Sequence, residues 1–144
     1  MNRLWITATF RSGYKQERAA PEKVLGGVRE GIRQLRSSPI PESLGEKKKD
    51  GLSETRSFRI NLENRILYGV RRVEGVTVVA LLRVCDHPAV YQVADLTMAE
   101  AEFFTQVGAT VLAQTTESER WLSDKEAEQR ARRQRSLEQL SMYR

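Results

Sequence analysis

Nine consecutive residues, Val76 to Val84, read Val-Thr-Val-Val-Ala-Leu-Leu-Arg-Val, the longest apolar run in the chain. A stretch of this length, rich in β-branched residues and bounded by turn-forming Glu74-Gly75, predicts a strand covered on both faces. Two shorter patterns precede it. Phe58, Ile60 and Leu62 alternate with Arg59 and Asn61, and the stretch from Arg65 to Val73 carries Ile66, Tyr68 and Val70. With Glu63-Asn64 and Glu74-Gly75 read as tight turns, the three stretches form an antiparallel meander. At the N-terminus Leu4, Ile6, Ala8 and Phe10 alternate with Trp5, Thr7 and Thr9, which predicts a further strand over 4–10.

The helices are read from spacing and caps. Pro21 suits a first helical turn, and Val24, Leu25, Val28, Ile32 and Leu35 then recur on one face. Gly26, Gly27 and Gly31 each cost about 1 kcal/mol of helix propensity relative to Ala, so they imply either close backbone packing or a weak helix. Pro39 and Pro41 end it. Residues 42–55 hold Lys47-Lys48-Lys49 and little apolar content, and read as an exposed basic loop or a frayed helix end. Thr97 with Glu100 forms a capping box ahead of Phe103, Phe104, Val107, Val111 and Leu112, and Ser123 with Glu126 forms a second. The helix from Asp124 to about Ser141 offers Ala127, Ala131, Leu137 and Leu140 amid charges, too few for a buried stripe. It is expected to project from the body, or to dock on a partner or a second copy as a homodimer. The fold class is α+β. A small antiparallel-rich sheet, the N-terminal strand plus the meander, carries an N-terminal helix packed on one side, with C-terminal helices appended. Residues 1–92 are expected to form the domain and 93–144 a helical extension.

No run reaches the roughly 18 apolar residues of a membrane-spanning helix, and the N-terminus lacks the apolar core of a secretion signal, so a cytoplasmic location without membrane contact is expected. Cys85 is the one cysteine, which excludes an intramolecular disulfide and a multi-cysteine zinc site. No phosphate-cradling glycine loop, serine-hydrolase elbow or metal-ligand spacing is present, and neither cofactor nor metal is expected. The net charge is +5, unevenly placed: residues 1–92 hold 17 Lys/Arg and 10 Asp/Glu, residues 93–144 hold 7 and 9. Such a basic region attracts phosphate backbones, and equally serves solubility or an acidic partner.

Four groups of residues could carry chemistry. His87, the one histidine, follows the most apolar strand and titrates near neutral pH; it serves either as a proton donor or as a strand-end hydrogen bonder. Arg59, Arg65 and Arg83 fall on adjacent strands of the meander. Arg83 has the parity of Val79 and Leu81, so it either breaks the strand end or points into a cleft. Lys47, Lys48 and Lys49 form either a solvated run or a grip on a phosphodiester backbone. Tyr91 could stack on a base, stabilise developing charge or anchor the chain. Arg71-Arg72 reads as a solvated face.

Taken in order, Asp50-Gly51-Leu52, Arg56-Ser57-Phe58-Arg59-Ile60, Asn64-Arg65-Ile66-Leu67-Tyr68, Leu82-Arg83-Val84 and His87-Pro88-Ala89-Val90-Tyr91 resemble the RelE/ParE superfamily of toxins from bacterial toxin–antitoxin pairs. The resemblance covers about residues 1–92. It implies a ribosome-dependent, metal-independent mRNA endoribonuclease that cleaves by attack of the 2′-hydroxyl and is neutralised by a cognate antitoxin. It implies His87 as the acid/base, Tyr91 as the terminal aromatic and Arg83 and Arg65 as phosphate-stabilising groups, with Lys47, Lys48, Lys49, Arg56 and Arg59 holding RNA. Pro88 departs from the pattern, and no acidic base emerges beyond Glu54 and Glu63. The same resemblance admits a gyrase-inhibiting toxin, and a non-catalytic RNA- or protein-binding adaptor remains an alternative of another class.

Overall fold

The computed structural model describes residues 1–16, 22–47, 54–86 and 98–142. In chain order its elements are β1 (Arg3–Ile6), α1 (Ala8–Gln16), α2 (Glu22–Ser37), a 3₁₀ turn (Pro41–Leu44), β2 (Glu46–Lys47), β3 (Arg56–Arg59), β4 (Asn64–Val73), β5 (Val76–Asp86), α3 (Met98–Thr105) and α4 (Gly108–Met142). The five strands form one mixed sheet in the order β1-β5-β4-β3-β2. β1 runs parallel to β5 and the other pairs are antiparallel. The class is α+β, as the sequence predicts. The β4–β5 hairpin closes through Glu74 and Gly75, both at positive φ (51° and 77°), the combination of a two-residue turn whose twist matches the strands.

β5 is covered on both faces because it separates two cores. Val79 and Leu81 face Leu4, Phe10, Val28, Ile32 and Leu35 under α1 and α2. Val78, Ala80 and Leu82 face Trp5, Leu67, Phe103 and Val111 under α3 and the start of α4. Helices therefore lie on both faces, not one. α2 can approach its face because Gly27 and Gly31 lie against the sheet: a Cβ at Gly31 would sit 3.0 Å from Ile66 Cδ1 and 3.0 Å from Phe58 Cε1. Gly31→Ala is expected to destabilise by about 1–3 kcal/mol although alanine is the better helix former. A urea titration giving an unchanged midpoint would show that α2 has room to shift.

Four sequence expectations need correction. The strand over 4–10 ends at Ile6, because the buried Thr7 Oγ1 accepts from the Phe10 amide and starts α1, in which Phe10 and Tyr14 stack. The turn after β3 falls on 61–63: the Asn61 side-chain oxygen accepts from the amides of Glu63 and Asn64, and Leu62 is left exposed. Ser123 lies inside α4, which is one 35-residue helix. Its first half does not project. Val111, Thr115, Ser118 and Leu122 form a buried stripe at helical spacing.

That half of α4 covers the outer edge of β1. Ser118 Oγ accepts from the Ile6 amide at 2.9 Å, Arg3 and Arg36 pair with Glu119, Arg11 pairs with Glu117, and the Trp5 indole donates to Gln114. An edge strand that would otherwise lie open is thereby covered, and its Ile6 amide is satisfied. Arg71, expected on a solvated face, is half-buried and donates to the carbonyls of Phe103 and Gln106 at 2.6 and 2.9 Å, closing the C-terminal end of α3. No described helix is long and apolar enough to cross a membrane.

Candidate functional site

The site is set by an irregularity in β5. Leu67 pairs with Arg83 but Tyr68 pairs with Leu81, so Leu82 is an extra residue on the β5 side of the ladder. Beyond this bulge the alternation reverses. Val84 packs with the α1/α2 core and Cys85 with the α3 core, the opposite of what unbroken parity from Leu81 would give. Arg83 therefore shares the face of Leu82 and Cys85, whereas its sequence parity had placed it with Val79 and Leu81. Bulges re-aim side chains in this way beside functional sites.

The bulge brings three arginines to one face. Arg59 of β3 lies directly opposite Arg65 of β4, and Arg65 lies opposite Cys85 of β5. Arg83 is the diagonal neighbour of Arg65, two residues before Cys85. Directly opposite side chains have Cβ atoms about 5 Å apart and diagonal ones about 7–8 Å, so the three arginine side chains leave the backbone from neighbouring positions at one end of the sheet. Arg65 is held in place, its Nη1 donating to the main-chain carbonyls of Asn61 and Asn64 at 2.5 and 3.0 Å. Asn61 thus positions Arg65, a role that the strand alternation of 58–62 does not reveal; its signal is the Asn preceding Leu-Glu-Asn, a side chain able to cap its own turn. Arg59 is exposed, and Arg65 and Arg83 are half-buried.

Arg56 does not join them. It pairs with Tyr68 and lies on the opposite face, where its guanidinium donates to the Glu42 carbonyl at 3.1 Å. The Tyr68 hydroxyl beside it donates to the Pro41 carbonyl, and burial pushes its pKa up to about 12. Arg72 pairs with Glu42 on this face and holds that carboxyl below its usual range. Arg56 therefore serves to fasten the 3₁₀ turn. Lys47 lies in β2, opposite Arg56. Lys48, Lys49, His87 and Tyr91 fall outside the described residues, as does the side chain of Lys47. Among the described residues no group of three His, Cys, Asp or Glu could hold a metal ion.

Like charges set directly opposite on a strand pair disfavour the fold unless an anion joins them. A guanidinium row of this kind suits a phosphodiester, since arginine forks pair with phosphate oxygens in bidentate fashion.

No family model and no curated protein matches the sequence. Solved structures do match in fold. A YoeB/ParE toxin from Agrobacterium tumefaciens is 21% identical, with a TM-score of 0.50, over 59% of this chain and 98% of its own. YafQ from E. coli strain BL21(DE3) is 8% identical, with a TM-score of 0.50, over 63% of this chain and 99% of its own. A YoeB–YefM complex from Staphylococcus aureus matches at 22% identity and a TM-score of 0.44, over 60% and 97%. The chain has the fold of the Agrobacterium toxin and of YafQ, and about two fifths of it has no counterpart in either.

Proposed function

We propose that this chain is a RelE/ParE-type toxin that cuts messenger RNA on the ribosome in the bacterial cytoplasm and is silenced by an antitoxin protein. The observation that supports the reading best is the convergence of Arg59, Arg65 and Arg83 on one face at the end of β5, the strand that His87 follows in sequence two residues after Cys85. Attack of a ribose 2′-hydroxyl on the neighbouring phosphorus forms a bond to that oxygen and breaks the bond to the leaving 5′-oxygen. The equatorial oxygens gain charge on the way, and fixed guanidinium groups oppose it without having to reorient. The 2′-hydroxyl gives up its proton to solvent water as it attacks, and the leaving oxygen takes a proton, which a protonated His87 donates. Tyr91 and the lysines of 47–49 complete the reading as substrate contacts.

General acid–base assistance supplies typically a hundred- to ten-thousand-fold, so alignment of the message by the ribosome carries much of the remaining rate, and free RNA is a poor substrate. Expression in bacteria with and without His87→Ala is expected to give growth arrest with messages cut inside codons, abolished by the substitution. Arrest with intact messages and damaged DNA would instead identify a gyrase inhibitor, and no arrest an adaptor.

A further inference from the structure

Along β4 the residues Arg65, Leu67, Gly69 and Arg71 alternate onto one face of the sheet, the face on which α3 packs. Arg65 stands at one end of this row, beside Arg59 and Cys85. Arg71 stands at the other, bound to the last carbonyls of α3. Between them α3 sets two aromatic rings side by side in different surroundings. Phe103 is fully buried, stacked on Trp5 with ring centroids 5.2 Å apart. Phe104 is half-buried, and among the described residues it is the one aromatic on this face that is not buried. Its ring meets Phe103 at 5.1 Å and 72°, and its Cζ and Cε1 rest on Gly69, 2.6 and 2.9 Å from the place a Cβ would take. Only glycine at position 69 lets the ring sit this close to the strand. Gly69 lies four residues from Arg65, about 13 Å along β4. Cys85, directly opposite Arg65, and Phe104 pack against the same apolar cluster, so one core ties the guanidinium row to α3.

We propose that Phe104 is a stacking platform for a base of the RNA strand whose phosphate the guanidinium row holds. The inference rests on the row's being the RNA site of the proposed function. Contacts to phosphate hold a strand but leave its bases unplaced, and single-stranded RNA is placed by stacking its splayed bases on aromatic rings. A strand that leaves the row along β4 runs toward α3, where Phe104 offers such a ring. The ring is ordered in advance by Gly69 and Phe103, so a base that stacks on it does not have to immobilise a loose side chain. Every base has a π-face, and the contact is therefore expected to fix where the strand lies without selecting which base is stacked. Phe104 is a positioning residue in this scheme and takes no part in the bond-breaking step.

The test is binding of the full chain to a short fluorescein-labelled RNA, fully 2′-O-methylated so that it cannot be cleaved, and to the same RNA carrying an abasic ribose at each position in turn. With the unsubstituted protein, one abasic position is expected to weaken binding roughly tenfold. Phe104→Leu, apolar and of similar bulk but without a ring, is expected to weaken binding of the intact RNA by the same factor and to cost nothing further on that abasic RNA. Phe104→Tyr is expected to bind both as the unsubstituted protein does. An abasic series with no weak position, a loss in Phe104→Leu just as large on the abasic RNA as on the intact one, or unchanged affinity in Phe104→Leu while Arg59→Ala weakens binding would each overturn the platform and leave the row in place. Affinity that Arg59→Ala leaves untouched would overturn the row as the RNA site, and the platform with it.

Discussion

A chain shortened to residues 1–106 is expected to lose its cooperative thermal transition and to aggregate, whereas one ended after Gln129 is expected to melt within a few degrees of the full chain. The shorter chain lacks α4 entirely, whereas the longer one keeps all of its buried residues. The longer cut removes Val111 and Leu122, at 0% and 2% exposure, from the two cores that flank β5. Burial of each such side chain stabilises by about 1.5–3 kcal/mol. It also strips the cover from β1, releasing the Ile6 amide from Ser118 and parting Arg3 and Arg36 from Glu119. The sum is a large part of the roughly 5–15 kcal/mol that holds a domain together, and a bare edge strand is a template for association. A soluble 1–106 chain with the melting temperature of the full protein would show that α4 is an appendage after all.

Why that dependence escaped the sequence reading is visible in four residues. The stripe that binds α4 to the body is Val111, Thr115, Ser118 and Leu122, half of it small and polar. Counting apolar positions misses such a face, because Ser118 contributes a hydrogen bond to a strand edge where leucine would contribute area. The same reading found the meander and the apolar β5, since runs of Val, Ile and Leu with turn pairs at their ends have few alternative uses. It misplaced the first strand's end because Phe10 continues the period-two alternation and also lies one helical turn before Tyr14. Parity failed at Arg83 for a related reason. A bulge leaves no mark in a nine-residue apolar run, yet it reverses the face of every residue after it. The arginines were legible as a set; that Arg56 faces away from Arg59, Arg65 and Arg83 depended on register, which pattern alone does not supply.

Arg59→Ala is expected to cut activity about a hundred- to a thousandfold in the arrest and message-cleavage assay while leaving the melting temperature unchanged or slightly raised. The two effects run in opposite directions because of where the side chain stands. Arg59 is exposed at the end of β3 and faces Arg65 directly, so in the unliganded protein it contributes repulsion and little packing. Removing it relieves the fold and, on the proposed function, takes one cation from the phosphate site. Arg65→Ala is expected to be as inactive but less stable, since its guanidinium also ties down the carbonyls of Asn61 and Asn64 at the β3–β4 turn. Lysine at position 59 is expected to restore activity only in part, because an ammonium cannot reproduce the bidentate fork. A fully active Arg59→Ala protein would separate the guanidinium row from catalysis. An Arg59→Ala protein that is inactive but also unfolds early would mean that the row exists to hold the sheet together, with some carboxylate or carbonyl offsetting its charge.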